Sequence, residues 1–524
     1  MKQLHSYLQG SWQPGIGDDI PLLDPTTEGA VAVCKKADTL ADAVAWGRAT
    51  GGPALRAMTF AERGALLGEM ARIISDSRDE LLTLATNNGG NTRGDGKFDV
   101  DGGTAVLSAY AELAKELGDT PWIVEDEPAS LFHGSKLRAQ HISLPRHGLA
   151  IHINAFNFPA WGMLGKLATS ILAGMPVLTK PATSTSLVAH RIVEILVESN
   201  VLPEGALQLL MGPAGDLLDH VHAQDVVAFT GSANTGAKVR THEAVIAHGV
   251  RVNVEADSLN AVVLGPGVDE GTELFDLAVR DLVTEMTQKA GQKCTATRRV
   301  LVPVEKLDMF REAVMERLSS IADKTGDPRD KANRMGPLAT ANQLRDAREG
   351  VEKLSEHASV LRGDPSRAEF AGVEAGKGYF FEPILLEASS ERALDATAAF
   401  HVMEVFGPVC TLLPYDGTPT TAATIVALGR GSLVTTLYSD DRAWISESIP
   451  NIAPHLGRLV VADEKSARAS MAPGCVFPVA NHGGPGRAGC GGELGGISGL
   501  TLYMQRTALQ GGASNLARIV GRKG

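Results

Sequence analysis

A cysteine stands in an unusually polar segment, AGQKCTATRR, at residues 290–299. Structural cysteines usually lie in apolar runs, whereas a thiol used in chemistry favours a partly exposed, electropositive setting that stabilises the thiolate. With Lys293 and Thr295 as its neighbours, Cys294 has the second kind of surroundings. We therefore take Cys294 as a candidate nucleophile, and a chance loop cysteine is the alternative that this motif alone leaves open.

Two polar residues at predicted strand ends carry the other groups that a cysteine reaction needs. Asn157, in HINAFNFPAW, could form an oxyanion hole together with the backbone N–H of Cys294. Glu255, in RVNVEADSLN, could take a proton from the thiol or from a hydrolytic water. The ordinary alternatives are an asparagine turn before a helix and a solvated loop glutamate.

Three further segments suit a nucleotide. Lys180, in VLTKPATSTSLVAH, could hold ribose or phosphate oxygens, and Gly231 and Ser232, in VVAFTGSANTGAKV, open a helix whose free N–H groups and dipole suit a pyrophosphate. Glu404 and Phe406 lie in the apolar segment HVMEVFGPVC. A solvated lysine, a glycine turn with a serine cap and a core phenylalanine are the alternatives.

The elements that must position these residues follow an α/β pattern. From Ala150 onward, short apolar strands alternate with amphipathic helices, which predicts a parallel, doubly wound sheet with ligands beyond the carboxyl ends of its strands. A second α/β series runs from RRVLVPV to GRLVVAD. Residues 58–86 and 105–117 predict helices. The segment AQHISLPRHGLAIHI predicts a hairpin-like pair of strands. The alternating segment LTLYMQRTALQ is expected to pair with this hairpin or with another subunit.

Bulk properties limit the class of protein. A chain of 524 residues is too long for one core, so we expect two or three domains. The net charge of −12 and the pI near 5.7 argue against nucleic-acid binding. The five cysteines are dispersed, without CxxC spacing, which favours a reducing cytosol over disulfides or a metal site. The amino-terminal segment lacks a signal-peptide pattern and no apolar stretch has membrane-spanning length, so we expect a soluble cytoplasmic protein.

Taken together, these motifs resemble the aldehyde dehydrogenase superfamily, and the likeness covers nearly the whole chain. The matching segments, in the family's order, are FNFP, KPA, FTGS, VEADSLN, AGQKC, EVFGPV and HGGPGRAG. The resemblance implies that Cys294 is the nucleophile, Asn157 the oxyanion donor and Glu255 the general base. It also implies that Lys180, Ser232, Glu404 and Phe406 line the dinucleotide site. The chemistry would be thiolate addition to an aldehyde, hydride transfer to nicotinamide and hydrolysis of the thioester.

The resemblance also implies the aldehyde dehydrogenase fold. That fold has a Rossmann-like doubly wound cofactor domain, an α/β catalytic domain and a small β oligomerisation arm. The corresponding ranges are 1–127 and 146–257 for the dinucleotide-binding domain, 258–470 for the catalytic domain, and 128–145 and 495–524 for the arm. We therefore expect a homo-oligomer, with a dimer favoured.

Two departures from the family pattern are informative. The usual Glu-Leu-Gly-Gly is here Glu255-Ala256-Asp257-Ser258, so the turn near the nicotinamide must differ. The usual KPAE ends in Thr183, which removes a carboxylate that accepts ribose hydroxyls in NAD-using relatives. We expect NADP as the cofactor, with NAD weaker. The tail GPGRAG…GELGG…YMQRTALQG resembles the branch that oxidises CoA-linked dicarboxylic semialdehydes, and the absence of a following hydratase domain implies its stand-alone type.

Rival functions come from other classes. The nearest is a CoA-acylating dehydrogenase, in which free CoA instead of water resolves the thioester; the retention of Glu255 favours water. A non-redox cysteine hydrolase and a catalytically silent ligand-binding relative are the others. The presence of Cys294, Asn157 and Glu255 argues against the silent relative.

Overall fold

The predicted doubly wound sheet is present and contains seven strands. The structure, a computed structural model, describes residues 1–38, 40–125, 127–469 and 471–521. In spatial order the strands are Arg251–Glu255, Val226–Thr230, Ala150–Ile153, Val177–Lys180, Leu207–Leu209, Ser6–Leu8 and Ser11–Gln13. The first five are parallel, and the last two form an antiparallel hairpin at the edge.

The strand order of this sheet reverses once. The chain passes from Ala150–Ile153 outward in one direction and then returns to place Val226–Thr230 on the other side of the same strand. Such a switch point opens a crevice at the carboxyl ends of the strands, where dinucleotides bind. Both faces of the sheet are covered by apolar side chains, because Ala150 and Val226 belong to one core cluster while Ile151 and Val227 belong to another.

The second α/β series folds into another seven-stranded sheet. Its spatial order is Ser359–Arg362, Ile384–Glu387, Val409–Tyr415, Arg299–Pro303, Ala261–Leu264, Ser432–Tyr438 and Leu456–Ala462. Only the pairing of the first two strands is antiparallel. Buried apolar clusters cover both of its faces, so this sheet forms the core of a second α/β unit, as the pattern predicts.

Helices cover the two sheets. Their bounds are Ala41–Trp46, Gly52–Arg56, Phe60–Asp76, Arg78–Gly89, Arg93–Leu117, Trp161–Leu172, Leu187–Glu198, Ala233–Arg240, Glu243–Ala247, Glu273–Thr287, Leu307–Ala322, Ala341–Ser355, Ala399–Val402, Pro419–Leu428, Arg442–Ile452, Ile497–Thr501 and Ala513–Ile519. The helical stretch predicted over 58–86 is therefore two helices. Capping boxes at Thr59 and Thr92 begin two of the amino-terminal helices.

Three smaller sheets complete the fold. One contains Lys2–Leu4, Ala30–Lys36 and Ile16–Leu23; a second contains Ile123–Val124, Ala129–Ser130, Leu137–Pro145 and Met504–Gly512; the third pairs Asn481–Gly484 with Gly491–Leu494. We call residues 481–494 the glycine hairpin. Within residues 1–38, 40–125, 127–469 and 471–521, no helix combines the length and apolar character needed to cross a membrane.

The expected hairpin-like pair over AQHISLPRHGLAIHI is wrong. Strand Leu137–Pro145 pairs with Met504–Gly512 over nine residues, whereas Ala150–Ile153 enters the doubly wound sheet. Pro145 and Gly148 separate the two strands as predicted, but their main-chain partners come from distant parts of the chain. The predicted pairing of LTLYMQRTALQ with this region is confirmed. Residues 522–524 of the expected arm lie outside the described residues.

Candidate active site

Cys294 lies on a loop between the helix Glu273–Thr287 and the second sheet, and its backbone is held from two sides. The side-chain amide of Asn260 donates to the carbonyl oxygens of Cys294 (2.8 Å) and Ala296 (2.9 Å). Upstream, Lys289 adopts a left-handed backbone (φ 54°), and its N–H donates to Asp95 Oδ1 (2.9 Å). Non-glycine residues rarely adopt this conformation, so the surrounding contacts must hold it.

The electropositive setting expected for Cys294 is wrong, although the residue is partly exposed as expected. The fully buried ammonium of Lys293 lies 2.8 Å from Glu285 Oε2 and donates to Gln288 Oε1 at 2.9 Å, and its charge lowers the pKa of the thiol too little to offset burial. Burial raises the pKa of the Cys294 thiol well above its usual range, and the carboxylates of Glu255 and Glu404 raise it further. The resting group is therefore a thiol that needs a base.

Glu255 lies where such a base would be needed. It ends strand Arg251–Glu255, and only 3% of it is exposed, so it is not a solvated loop residue. Its carboxylate lies within 4.8 Å of both Cys294 Sγ and the imidazole of His482. Burial alone would raise the pKa of Glu255, but the charges of His482 and Lys166 and hydrogen bonds from His482 and Cys294 outweigh it and lower the pKa. The carboxylate is thus ionised and ready to accept a proton.

The glycine hairpin brings His482 against this carboxylate. His482 Nε2 lies 3.0 Å from Glu255 Oε1 and 3.8 Å from Cys294 Sγ. The hairpin packs on the strand that ends in Glu255, and a Cβ atom at Gly489 (φ 103°) would lie 2.2 Å from the carbonyl oxygen of Val254. Glycine is therefore required for this close approach.

A buried lysine also acts on Glu255. Lys166, on helix Trp161–Leu172, donates to Thr230 Oγ1 (2.7 Å) and forms an ion pair with Glu493 (3.2 Å). The side chain of Asn253 donates to the same carboxylate of Glu493 (3.1 Å). Because Lys166 is buried and paired, it supplies a fixed positive charge near Glu255.

Asn157 is available as an oxyanion donor. It lies beyond strand Ala150–Ile153, just before a helix whose first N–H groups, those of Ala160 and Trp161, donate to Asp99. Neither the side-chain amide of Asn157 nor the backbone N–H of Cys294 has a hydrogen-bond partner among the described residues, and both residues line the same cavities. These two donors can serve an oxygen bound at the reacting carbon.

A pocket of about 650 Å³ leads to the thiol. Its polar end holds Cys294, Glu255, His482 and Lys166, and its walls include three aromatic rings and two aliphatic side chains: Phe98, Phe158, Trp161, Val476 and Leu494. The rings contact one another edge to face, with centroids 5.1–6.0 Å apart. An apolar chain with a reactive polar end fits this arrangement.

A larger cleft of about 1100 Å³ reaches Cys294 from the opposite side, at the switch point of the first sheet. Its lining includes four of the predicted cofactor residues: Gly231, Ser232, Glu404 and Phe406. Ser232 caps helix Ala233–Arg240, which is the serine cap that the alternative to a nucleotide site predicted. The cleft's size, its place at the switch point and the helix start fit a dinucleotide.

Glu404 and Phe406 are held at the cleft by Arg298. The guanidinium of Arg298 donates to Glu404 Oε1 (3.2 Å), the N–H of Ser258 donates to Oε2 (3.0 Å), and Phe406 packs edge to face on Phe156. Burial raises the pKa of Glu404 to about 7, although Arg298 and Ser258 oppose the rise. Phe406 is therefore a wall of the cleft and not a core residue.

Lys180 and Thr183 are not among the lining residues, although Ala182 between them is. The ammonium of Lys180 donates to the carbonyl of Pro181 (3.0 Å), and burial lowers its pKa. Thr183 begins a short 3₁₀ turn and is partly exposed. Their roles towards a cofactor stay predictions.

The unusual Glu-Ala-Asp-Ser turn has a visible consequence. Asp257 Oδ1 accepts the N–H of Ala233, the first residue of the helix that Ser232 caps (3.0 Å). The hydroxyl of Ser258 donates to Asn260 (2.6 Å), the residue that holds the carbonyl of Cys294. The turn therefore links helix Ala233–Arg240 to the loop that carries Cys294.

Sequence reasoning missed His482, Lys166 and Glu493. Lys166 lies inside a helix of otherwise apolar and small residues, and Glu493 and His482 come from the glycine-rich tail. The available signal was a histidine directly before the glycine pair of HGGPGRAG and a lysine in an apolar helix, both of which indicate a polar site.

Comparison with known proteins agrees with this geometry. The aldehyde dehydrogenase family profile matches residues 12–508. A curated 3,4-dehydroadipyl-CoA semialdehyde dehydrogenase of Aromatoleum evansii is 42% identical over 92% of this chain and 93% of its own length. An alpha-ketoglutaric semialdehyde dehydrogenase of Bacillus subtilis (strain 168) is 29% identical over 69% of this chain and 70% of its own. The chain belongs to the aldehyde dehydrogenase family and is an NAD(P)-dependent oxidoreductase.

Solved structures share the fold. A putative aldehyde dehydrogenase from Burkholderia cenocepacia superposes with a TM-score of 0.82 at 24% identity and covers 98% of both chains. A 3,6-anhydro-L-galactose dehydrogenase bound to NAP superposes with a TM-score of 0.82 at 22% identity and covers 97% of this chain and 100% of its own. These likenesses confirm the predicted aldehyde dehydrogenase fold.

Proposed function

We propose that the protein oxidises a CoA-linked dicarboxylic semialdehyde, 3,4-dehydroadipyl-CoA semialdehyde, to the carboxylic acid with NADP⁺. The substrate rests on the relative from Aromatoleum evansii and on the long, partly aromatic pocket. The hydrolytic outcome rests on one observation, the buried, ionised carboxylate of Glu255 beside Cys294.

The residues of the pocket divide the chemistry. Glu255 takes the proton of the Cys294 thiol, and the sulfur electron pair forms the bond to the aldehyde carbon. The oxygen that becomes negative receives hydrogen bonds from the Asn157 amide and from the Cys294 N–H. NADP⁺, when bound, supplies the hydride acceptor that turns the thiohemiacetal into a thioester.

Hydrolysis uses the same base a second time, after Glu255 has released the proton of the thiol to solvent. Glu255 takes a proton from a water molecule, the water oxygen bonds to the thioester carbon, and the bond from that carbon to Cys294 Sγ breaks. The carboxylic acid leaves and the thiol is restored. The electrostatic setting favours this role, since the cations near Glu255 keep its carboxylate ionised between the two steps.

Product analysis tests this proposal against CoA-acylating activity. The enzyme, NADP⁺ and the CoA-linked semialdehyde should yield the free acid and NADPH in equal amounts without added free CoA. A requirement for free CoA, with a second thioester as the product, would support the acylating rival. Release of free CoA from the substrate without NADPH would support a hydrolase, and no turnover would support the silent relative.

Thr183 should set the preference for NADP. A glutamate at this position would repel the 2′-phosphate, whereas Thr183 carries no charge and can donate a hydrogen bond. We expect Thr183→Glu to lower the ratio of kcat/KM for NADP to that for NAD by on the order of tenfold. Thr183→Gln is the matched uncharged control, and it should change the ratio less. An unchanged ratio in Thr183→Glu would place the discrimination elsewhere.

We also propose the domain roles that the family implies. Residues 1–127 and 146–257 bind the dinucleotide, 258–470 carry the catalytic cysteine, and 128–145 with 495–524 form an arm for homodimerisation. The long antiparallel pair of Leu137–Pro145 and Met504–Gly512, mostly exposed along its second strand, supports the arm. A cytoplasmic location is supported by five cysteines that are all unpaired.

A further inference from the structure

The position of His482 is not explained by the reaction as derived above. Its side chain is only 13% exposed, and its ring nitrogen Nε2 faces the nucleophile and the base together, at 3.8 Å from Cys294 Sγ and 3.0 Å from Glu255 Oε1. A histidine beside a thiol is a common base in cysteine chemistry, so the geometry must decide between roles.

The shorter contact excludes His482 as the base for the thiol. A ring nitrogen 3.0 Å from an ionised carboxylate must carry a proton, because two electron pairs that close together would repel each other. A nitrogen that carries a proton has no lone pair for the proton of the thiol. Nε2 carries its proton in both the neutral and the charged imidazole at this contact. Glu255 is therefore the group that accepts the proton of the thiol.

From this geometry we infer that His482 is a positioning residue, which holds the carboxylate of Glu255 beside the sulfur of Cys294 through the close polar contact between Nε2 and Oε1. The inference rests on the proposed function and extends it with a residue outside the assigned catalytic set. The side chain of Glu255 has three torsions, and an attractive contact with a protonated ring nitrogen favours the rotamer that places its carboxylate beside the sulfur.

The hairpin that carries His482 is fixed to the strand that carries Glu255. The N–H of Ala256 donates to the carbonyl of Ala488 (3.1 Å), and Asn253 Oδ1 accepts the N–H of Gly492 (2.8 Å). These contacts bracket Glu255 along its own strand. The contact between His482 and Glu255 is therefore set by two elements that are hydrogen-bonded to each other.

Three groups face Glu255 and determine its charge: His482 from the hairpin, Lys166 from the helix beneath, and the thiol of Cys294. Burial raises the pKa of Glu255, and the contacts with His482, Lys166 and Cys294 lower it. Without His482, fewer contacts oppose the effect of burial, so the pKa of Glu255 rises. Glu255 acts as a base only when its carboxyl group is deprotonated. The acid limb of the kcat/KM profile must therefore move to higher pH.

Two neutral substitutions separate the donor from the ring. His482→Phe removes the polar N–H that faces Glu255, whereas His482→Gln keeps an N–H group, and neither side chain titrates. We expect an acid limb in His482→Phe between about pH 5 and 7, with kcat/KM at pH 6 on the order of tenfold below its value at pH 8. His482→Gln should follow the parent profile in this range. His482→Met is a second apolar variant in case the phenylalanine prevents folding.

A measurement without turnover makes the inference independent of the substrate. The fixed carboxylate of Glu255 raises the pKa of the Cys294 thiol, so its displacement in His482→Phe should increase the rate of alkylation of Cys294 by iodoacetamide at pH 7. His482→Gln should react like the parent. Equal alkylation rates and equal pH profiles in the two variants would overturn the inference. Lack of aldehyde oxidation by the parent would overturn only the proposed function.

Discussion

Cys294→Ala should abolish aldehyde oxidation while NADP binding is retained. The substitution removes the sulfur that forms the covalent bond in the proposed reaction, and the loss of a nucleophile typically lowers turnover by a factor on the order of 10⁴ or more. The cleft loses little, because its other walls come from different elements. NADPH formation followed at 340 nm and NADP binding followed by calorimetry give the two readouts.

Cys475→Ala is the matched control. Cys475 is also partly exposed, and it follows Gly474, whose carbonyl accepts a hydrogen bond from Thr295 (3.2 Å). Cys475 is thus next in sequence to a residue that contacts the loop of Cys294, but it does not line either cavity. Near-parent turnover in Cys475→Ala and activity within a few-fold of the parent in Cys294→Ala would together show that another residue is the nucleophile.

Glu255→Gln should separate the two halves of the reaction. Removal of the carboxylate charge lowers the pKa of the Cys294 thiol, since Glu255 raises it both by charge and by hydrogen bonding. The lower pKa lets some thiolate form without the base, so addition and hydride transfer persist at a reduced rate, whereas hydrolysis loses its base and slows by about 10²–10⁴-fold. We expect a burst of NADPH equal to the amount of active sites, followed by a stall.

The size of the burst is the decisive quantity in Glu255→Gln. It should remain near one NADPH per active site when the aldehyde concentration is doubled, because each site stops at the thioester. Unimpaired steady-state turnover would exclude Glu255 from hydrolysis. The absence of any burst would show that Glu255 is required before hydride transfer.

The sequence predicts the parts of the site that sit at strand ends. Asn157, Ser232 and Glu255 each follow an apolar run, and the carboxyl ends of parallel strands meet at one edge, so their convergence follows from the alternating pattern. Cys294 is found because its loop is polar. These positions depend on local periodicity, which a single chain displays directly.

The contacts that set protonation states depend on long-range packing and could not be predicted in the same way. In the sequence, Lys293 suggests a positive field at the thiol. In the structure, Lys293 forms an ion pair with Glu285, which lies eight positions earlier on the preceding helix. His482 lies nearly 190 positions beyond Cys294, and only the close approach of the glycine hairpin to Val254 brings it to the site. A neighbour in sequence is therefore a poor guide to the field at a buried thiol.

The central claim is that Cys294 carries an oxidised acyl group on the way to the acid. Glu255→Gln, mixed with NADP⁺ and the CoA-linked semialdehyde and quenched in acid after the burst, can be digested and analysed by mass spectrometry. The account predicts that the peptide containing Cys294 gains the mass of the aldehyde minus two hydrogen atoms. An unmodified Cys294 peptide after a full burst, or the same added mass on Cys475, would contradict it.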